Sequence, residues 1–223
     1  MKNTNAVTLT KTADSILSTN RVLRNTYALL SVTLLFSAVM AAVSMAIAPP
    51  HMVSLVCTIG AIVILMFVLP KYENSAGGIG IVFLCTGMLG FGLGPMLNHY
   101  VSIPGGSALV GTALGGTGVI FLSLSAYVLT TKKSFNFMGG MLTVGLIVMF
   151  GAMIVNMFLN IPAMHLAISA AMVLLMSGFI LFDTGRIVNG GETNYIRATV
   201  GMFINIFMLF THLLQLLGIM GDD

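Results

Sequence analysis

Residues 174–197 read LLMSGFILFDTGRIVNGGETNYIR. An apolar run meets Asp183, Arg186 follows one helical turn later, a glycine pair interrupts the chain, and a second apolar run opens. About twenty mostly apolar residues lead up to Asp183, the length a helix needs to cross a hydrocarbon core of ~30 Å. The segment between the two runs is short. It reads as a loop joining two antiparallel membrane helices, with Asp183 where the first one surfaces. Asp183 then has two readings. It is an interfacial charge paired with Arg186, or it is a carboxylate held inside the bundle because its proton matters. Ionisable groups at membrane depth are costly and rarely idle, which keeps the second reading open.

The rest of the chain repeats this pattern. Of 223 residues, 57% are hydrophobic and 7% charged, and the mean hydropathy is +1.05. A soluble domain carries about 25% charged residues. So few charges cannot cover a water-facing surface, so lipid is the solvent for most of it. Only helix bundles and closed barrels satisfy their own backbone there. The apolar runs are ~18–27 residues long without alternation, which excludes barrel strands of ~10 residues. The expected fold is an all-α polytopic bundle of seven transmembrane helices. Their spans are Val22–Ala48, Met52–Leu69, Gly77–Leu97, Ala108–Thr130, Met138–Leu159, Pro162–Phe182 and Ile196–Met220. Residues 1–20 form a polar N-terminal tail and residues 21–223 one helical domain. The apolar run after Arg24 is too long for a cleaved signal, so it reads as a first span.

The basic residues give the orientation. Lys2, Lys11, Arg21 and Arg24 lie in or beside the tail, and Lys71, Lys132, Lys133, Arg186 and Arg197 in the second, fourth and sixth loops. These are all nine. The positive-inside rule places the N-terminus in the cytoplasm and, after seven spans, Asp222 and Asp223 outside. Topology thus explains the net charge of +3, and no nucleic-acid partner is expected.

Polar and small residues inside the spans are the remaining signals. Gly201, Asn205, Met208, His212 and Gln215 share one helical face, so the seventh helix should face protein near the bundle centre. The stripe is either a set of interhelical hydrogen bonds or the lining of a polar path, and Asn156 is a candidate partner for both. Gly90, Gly92 and Gly94, and the pair Gly111 and Gly115, are expected to pack helices closely, or to let them slide. Residues 77–98 and 139–160 echo each other in paired glycines and a terminal Leu-Asn. His51, His99 and His165 fall at outward loops without metal-ligand spacing, and read as solvated. Cys57 and Cys85 read as packing residues rather than a disulfide. No phosphate loop, nucleophile elbow or zinc motif is present, so neither enzyme activity nor a cofactor is expected.

Two elements then carry a resemblance. Gly90, Leu93, Gly94, Pro95 and Leu97 match a Gly-x-x-apolar-Gly-Pro-x-Leu element, and Ala113, Thr117, Gly118, Val119, Ile120 and Phe121 match an Ala-x3-Thr-small-apolar-apolar-Phe element. The chain resembles the Bax inhibitor family from Arg21 to Met220. Gly118 stands where alanine is usual. The strings RVLRNTY (21–27), SAYVLTT (125–131) and GGETNYIRAT (190–199) are similar to its bacterial YccA-type branch. That resemblance implies an inner-membrane protein that associates with and modulates the FtsH membrane protease, with the tail Met1–Asn20 as the handle on the cytoplasmic side. Other bacterial members look like pH-sensitive calcium leak channels that use two aspartates. Asp183 matches the one that ends the sixth helix, while Met202 stands where the other belongs. With that departure, Asp183 is expected to anchor the sixth helix against Lys71, Arg186 or Arg197. The competing expectation is a calcium leak with Asp183, Asn205 and His212 near the path.

Overall fold

A computed structural model describes residues 3–221, and side chains over 19–220. Among these residues all regular structure is helical. The helices are α1 (Asn3–Ile47), α2 (His51–Phe67), α3 (Leu69–Tyr72), α4 (Ala76–Gly92), α5 (Gly94–Ser102), α6 (Gly106–Thr131), α7 (Met138–Leu159), α8 (Pro162–Val188) and α9 (Tyr195–Gly221). Six spans are long and apolar enough to cross a membrane: Thr19–Ile47, Ala76–Ser102, α6, α7, α8 and Tyr195–Met220. The seventh apolar helix, α2, has 17 residues and so is about 25 Å long. The all-α membrane bundle expected from the sequence is the observed fold. The side chains of the tail, Met1–Asn20, lie almost wholly outside the described residues, as do Asp222 and Asp223.

Chain breaks follow local chemistry. Pro95 has no N–H to donate, and the third span is interrupted at Leu93 between α4 and α5. Pro162 opens α8 in the first turn, where a missing N–H costs nothing. Asn160 caps α7 at φ 49°, a left-handed conformation asparagine tolerates better than most residues. The two echoing segments therefore fold differently: the first is broken at Leu93, and the second is continuous.

Helix α9 packs against α1, α4, α6 and α8, which places it near the centre. Helix α1 also carries α4 and α5, α2 lies on α4, and α7 packs chiefly on α8. The apolar face of α7, including Val144, Ile147, Ile154 and Phe158, is exposed where lipid would lie. One core joins Leu30, Cys85, Met202 and Phe203, and a second joins Met172, Met176, Ile180 and Leu209. Cys85 is fully buried and Cys57 half-buried, both as free thiols.

The glycines divide into two groups. A β-carbon at Gly90 would strike the Ser37 carbonyl, and one at Gly94 the Ser44 side chain, so both let α4 and α5 press on α1. Gly92 serves α2 in the same way, facing Thr58. Gly111 and Gly115 correct the sequence reading. A β-carbon at either meets nothing within 4 Å, because both lie on the outer face of α6.

Candidate functional site

The site begins at the corner between α8 and α9. Helix α8 runs to Val188, past the expected end at Phe182, so Asp183 lies within its final turns. Gly190 then takes φ +72°, a conformation open to glycine at no steric cost. That turn lets the Gly191 and Glu192 N–H groups donate to the Arg186 carbonyl at 2.8 and 3.2 Å. Glu192 Oε1 accepts the Thr193 and Asn194 N–H groups, both at 3.0 Å, while its Oε2 pairs with Arg186 Nη2 at 3.2 Å. Asn194 caps α9: its Oδ1 accepts the N–H groups of Ile196 at 2.9 Å and Arg197 at 3.2 Å. Its amide donates to the Glu73 carbonyl at 3.0 Å and to Asn74 Oδ1 at 2.9 Å. Arg197 then grips Glu73 with two donors, Nε at 3.0 Å and Nη2. Asn189 reaches the Lys133 carbonyl at 3.4 Å. Three loops that carry lysine or arginine are thus tied together at one end of the bundle.

Behind this corner lies a cavity of about 120 Å3, lined by Asp183, Arg186, Glu192, Arg197 and Gly201 among others. Half-buried Asp183 accepts a hydrogen bond at Oδ2 from Asn205 Nδ2, at 2.8 Å. Gly201 makes room for it, since a β-carbon there would stand 3.3 Å from Oδ2. The expected ion pair of Asp183 is therefore corrected. Arg186 is taken by Glu192, whose other carboxylate oxygen is held by the loop backbone, and Arg197 is taken by Glu73. Lys71 is exposed on α3 and makes no ion pair among the described residues. The second carboxylate of this cavity is Glu192. Met202, where the family resemblance would seek an aspartate, is fully buried, with its sulfur 3.9 Å from the Thr184 hydroxyl.

The polar face of α9 continues to the other end. Met208 joins the second core, and Gln215 Oε1 accepts from Ser169 on α8 at 3.3 Å. His212 and Gln215 line a second cavity, of about 270 Å3, together with Asn156, Asn160, His165 and Ser169. Asn156 does meet the stripe here, although its Oδ1 is already engaged by the Ile161 N–H at 3.0 Å. Between the two cavities stand Met172, Met176, Ile180 and Leu209, an apolar plug across the α8–α9 seam. The stripe thus faces protein, as expected, and two polar chambers flank a dry centre.

Residues 19–222 match the family described as Inhibitor of apoptosis-promoting Bax1. The chain belongs to this family. It is 50% identical over 221 residues to an uncharacterized membrane protein of Vibrio cholerae, with 99% of each chain covered. It is 48% identical over 209 residues to the Modulator of FtsH protease YccA of Escherichia coli K12, with 94% of each covered. The same figures hold for the Inner membrane protein YccA of Escherichia coli O6:H1.

Within this Bax inhibitor chain the signature residues are packing residues. Gly90 and Gly94 seat α4 and α5 on α1, Pro95 starts α5, and Leu97 is buried beside Ala41 and Phe210. Ala113 is fully buried against Phe210 and Leu214, and Thr117 returns its hydroxyl to the Ala113 carbonyl at 2.7 Å. Sequence reasoning missed Glu73, Glu192 and Asn194. For Asn194 a signal existed, an asparagine directly before an apolar helical run.

Proposed function

We propose that this protein is a multi-pass component of the bacterial inner membrane that binds the FtsH membrane protease and inhibits its access to substrates. The observation that carries this reading is the 48% identity to a named modulator of that protease, spread over 94% of both chains. The relative named an inner membrane protein supports the compartment. The basic loops gathered at one end support a cytoplasmic N-terminus and a C-terminus outside. On that orientation the tied corner of Glu73, Glu192, Asn194 and Arg197 faces the cytoplasm, the side to which the positive-inside rule also assigns the tail Met1–Asn20, and together they form the surface offered to the protease. Deleting Met1–Asn20 is expected to leave the bundle folded and to slow its turnover by cytoplasmic proteolysis in a pulse-chase. Unchanged turnover would remove the tail from the contact.

A second reading, a pH-sensitive calcium leak, is favoured by one specific feature. Asp183 and Glu192 line the same cavity at one end of the polar stripe. On this reading the plug of Met172, Met176, Ile180 and Leu209 must part before an ion passes. Calcium flux into liposomes, at mildly acidic and mildly alkaline pH, tests it. Flux above empty liposomes that is lost in Asp183→Asn supports a leak, and flux equal to empty liposomes at every pH rejects it.

A further inference from the structure

Helices α1 and α6 both pack on α9, and a groove of about 430 Å3 runs between them with Phe207 and Phe210 of α9 in its lining. We propose that it holds a single acyl chain of a phospholipid, drawn from the leaflet on the side away from the lysines and arginines.

The groove has the length and depth of one leaflet. Its lining runs from Leu34 to Met45 on α1 and from Phe121 back to Val110 on α6. Those eleven steps of helix are ~16 Å, about half of a ~30 Å hydrocarbon core. Arg24 precedes Leu34 by ten residues, ~15 Å of helix, so the groove starts near mid-depth and runs away from the basic end. At its inner end the rings of Tyr27 and Phe121 meet, with centroids 6.0 Å apart, and join α1 to α6. A membrane-spanning helix would have to continue past that junction. A chain that ends at mid-depth does not.

The mouth opens sideways into lipid. Ala38 and Ala42 on α1 and Leu114 on α6 line the groove and are nevertheless exposed. Around them Leu35, Val39 and Val43 on α1, and Val119 and Leu122 on α6, are exposed apolar side chains. The lining holds no charged residue and no histidine. Its two hydroxyls, Ser37 and Thr117, belong to buried residues, and Thr117 donates to the Ala113 carbonyl at 2.7 Å. Such a lining gives water and a headgroup too few polar partners. The volume is well above the ~150 Å3 of an apolar cavity that stays dry and takes up benzene. A chain seated there gains the dispersion contacts that a void forfeits.

The chain contains no tryptophan, so Phe207→Trp places a single indole in the groove. The full chain, purified in detergent, is titrated with a phospholipid brominated at mid-chain, and the quenching of fluorescence is read. Ile147→Trp, on the exposed face of α7, reports bulk lipid. Quenching of Phe207→Trp is expected to saturate with a single lipid per protein. Quenching of Ile147→Trp should only follow the share of lipid in the micelle. Adding Gly118→Leu to Phe207→Trp fills the groove, since a β-carbon at Gly118 meets nothing within 4 Å. The saturating quench should then be lost. Replacing a helical glycine should keep the melting temperature at or above that of Phe207→Trp alone. Ala38→Leu repeats the block from the opposite wall. Equal, unsaturating quenching at both tryptophan positions overturns the proposal. So does saturating quenching that survives both blocks, or no quenching of Phe207→Trp. A dimer in detergent that Gly118→Leu dissociates also overturns it, with a second copy of the chain as the occupant.

Discussion

Asp183 accepts one short hydrogen bond from Asn205, and Gly201 leaves space beside it. Replacing Asn205 with leucine removes the donor and leaves a half-buried carboxylate facing apolar surface. The expected loss is about 1–3 kcal/mol, the cost of an unsatisfied polar group, read as a lower melting temperature in detergent. Asp183→Asn should cost less, because an amide oxygen still accepts the bond from Asn205. An Asn205→Leu protein as stable as the wild type would contradict this account of the contact. Asp183 and Asn205 were both legible in the sequence, the first as a charge ending an apolar run, the second through the spacing of the stripe on α9. Their pairing was not. Arg186 stands nearer in sequence and carries the opposite charge, but Glu192 captures it, and Glu192 sits there only because the loop folds back through Gly190.

Among the helices, glycine spacing proved a weaker guide than glycine surroundings. Gly90→Ala would drive a methyl group into the Ser37 carbonyl and should cost about 1–3 kcal/mol or more, since backbone offers little give. Gly111→Ala and Gly115→Ala meet open space, so each should be neutral or stabilise by up to about 1 kcal/mol through helix propensity. Melting the three variants side by side checks the contrast, and equal losses at all three would reject it. The two glycine groups look alike in sequence because spacing does not say which face of α6 turns to lipid. The corner allows a similar test. Arg197 is largely exposed, so breaking its pair with Glu73 should cost under about 1 kcal/mol in stability. It should nevertheless loosen the segment between α3 and α4. Limited proteolysis is expected to cut Arg197→Ala faster than the wild type near Glu73, and the charge-swapped pair Glu73→Arg/Arg197→Glu should restore resistance.

At the scale of the molecule, apolar length and the placement of lysine and arginine make the bundle legible in the amino-acid sequence. So few charges leave lipid as the solvent, and lipid permits few architectures. The polar face of α9 announces a central helix, and α9 does pack against α1, α4, α6 and α8. Loop geometry is hidden, because Glu73 and Arg197 lie far apart in the chain and meet only when α3, α4 and α9 assemble. The functional proposal rests on the 48% identity to a named modulator of FtsH protease, and the tied end of the bundle that carries the lysines and arginines supports it. The most direct measurement reconstitutes FtsH with a membrane substrate in proteoliposomes, with and without this protein. Slower degradation of the substrate, with this protein bound to the protease, is the expected result. An unchanged rate with no association would contradict the central claim.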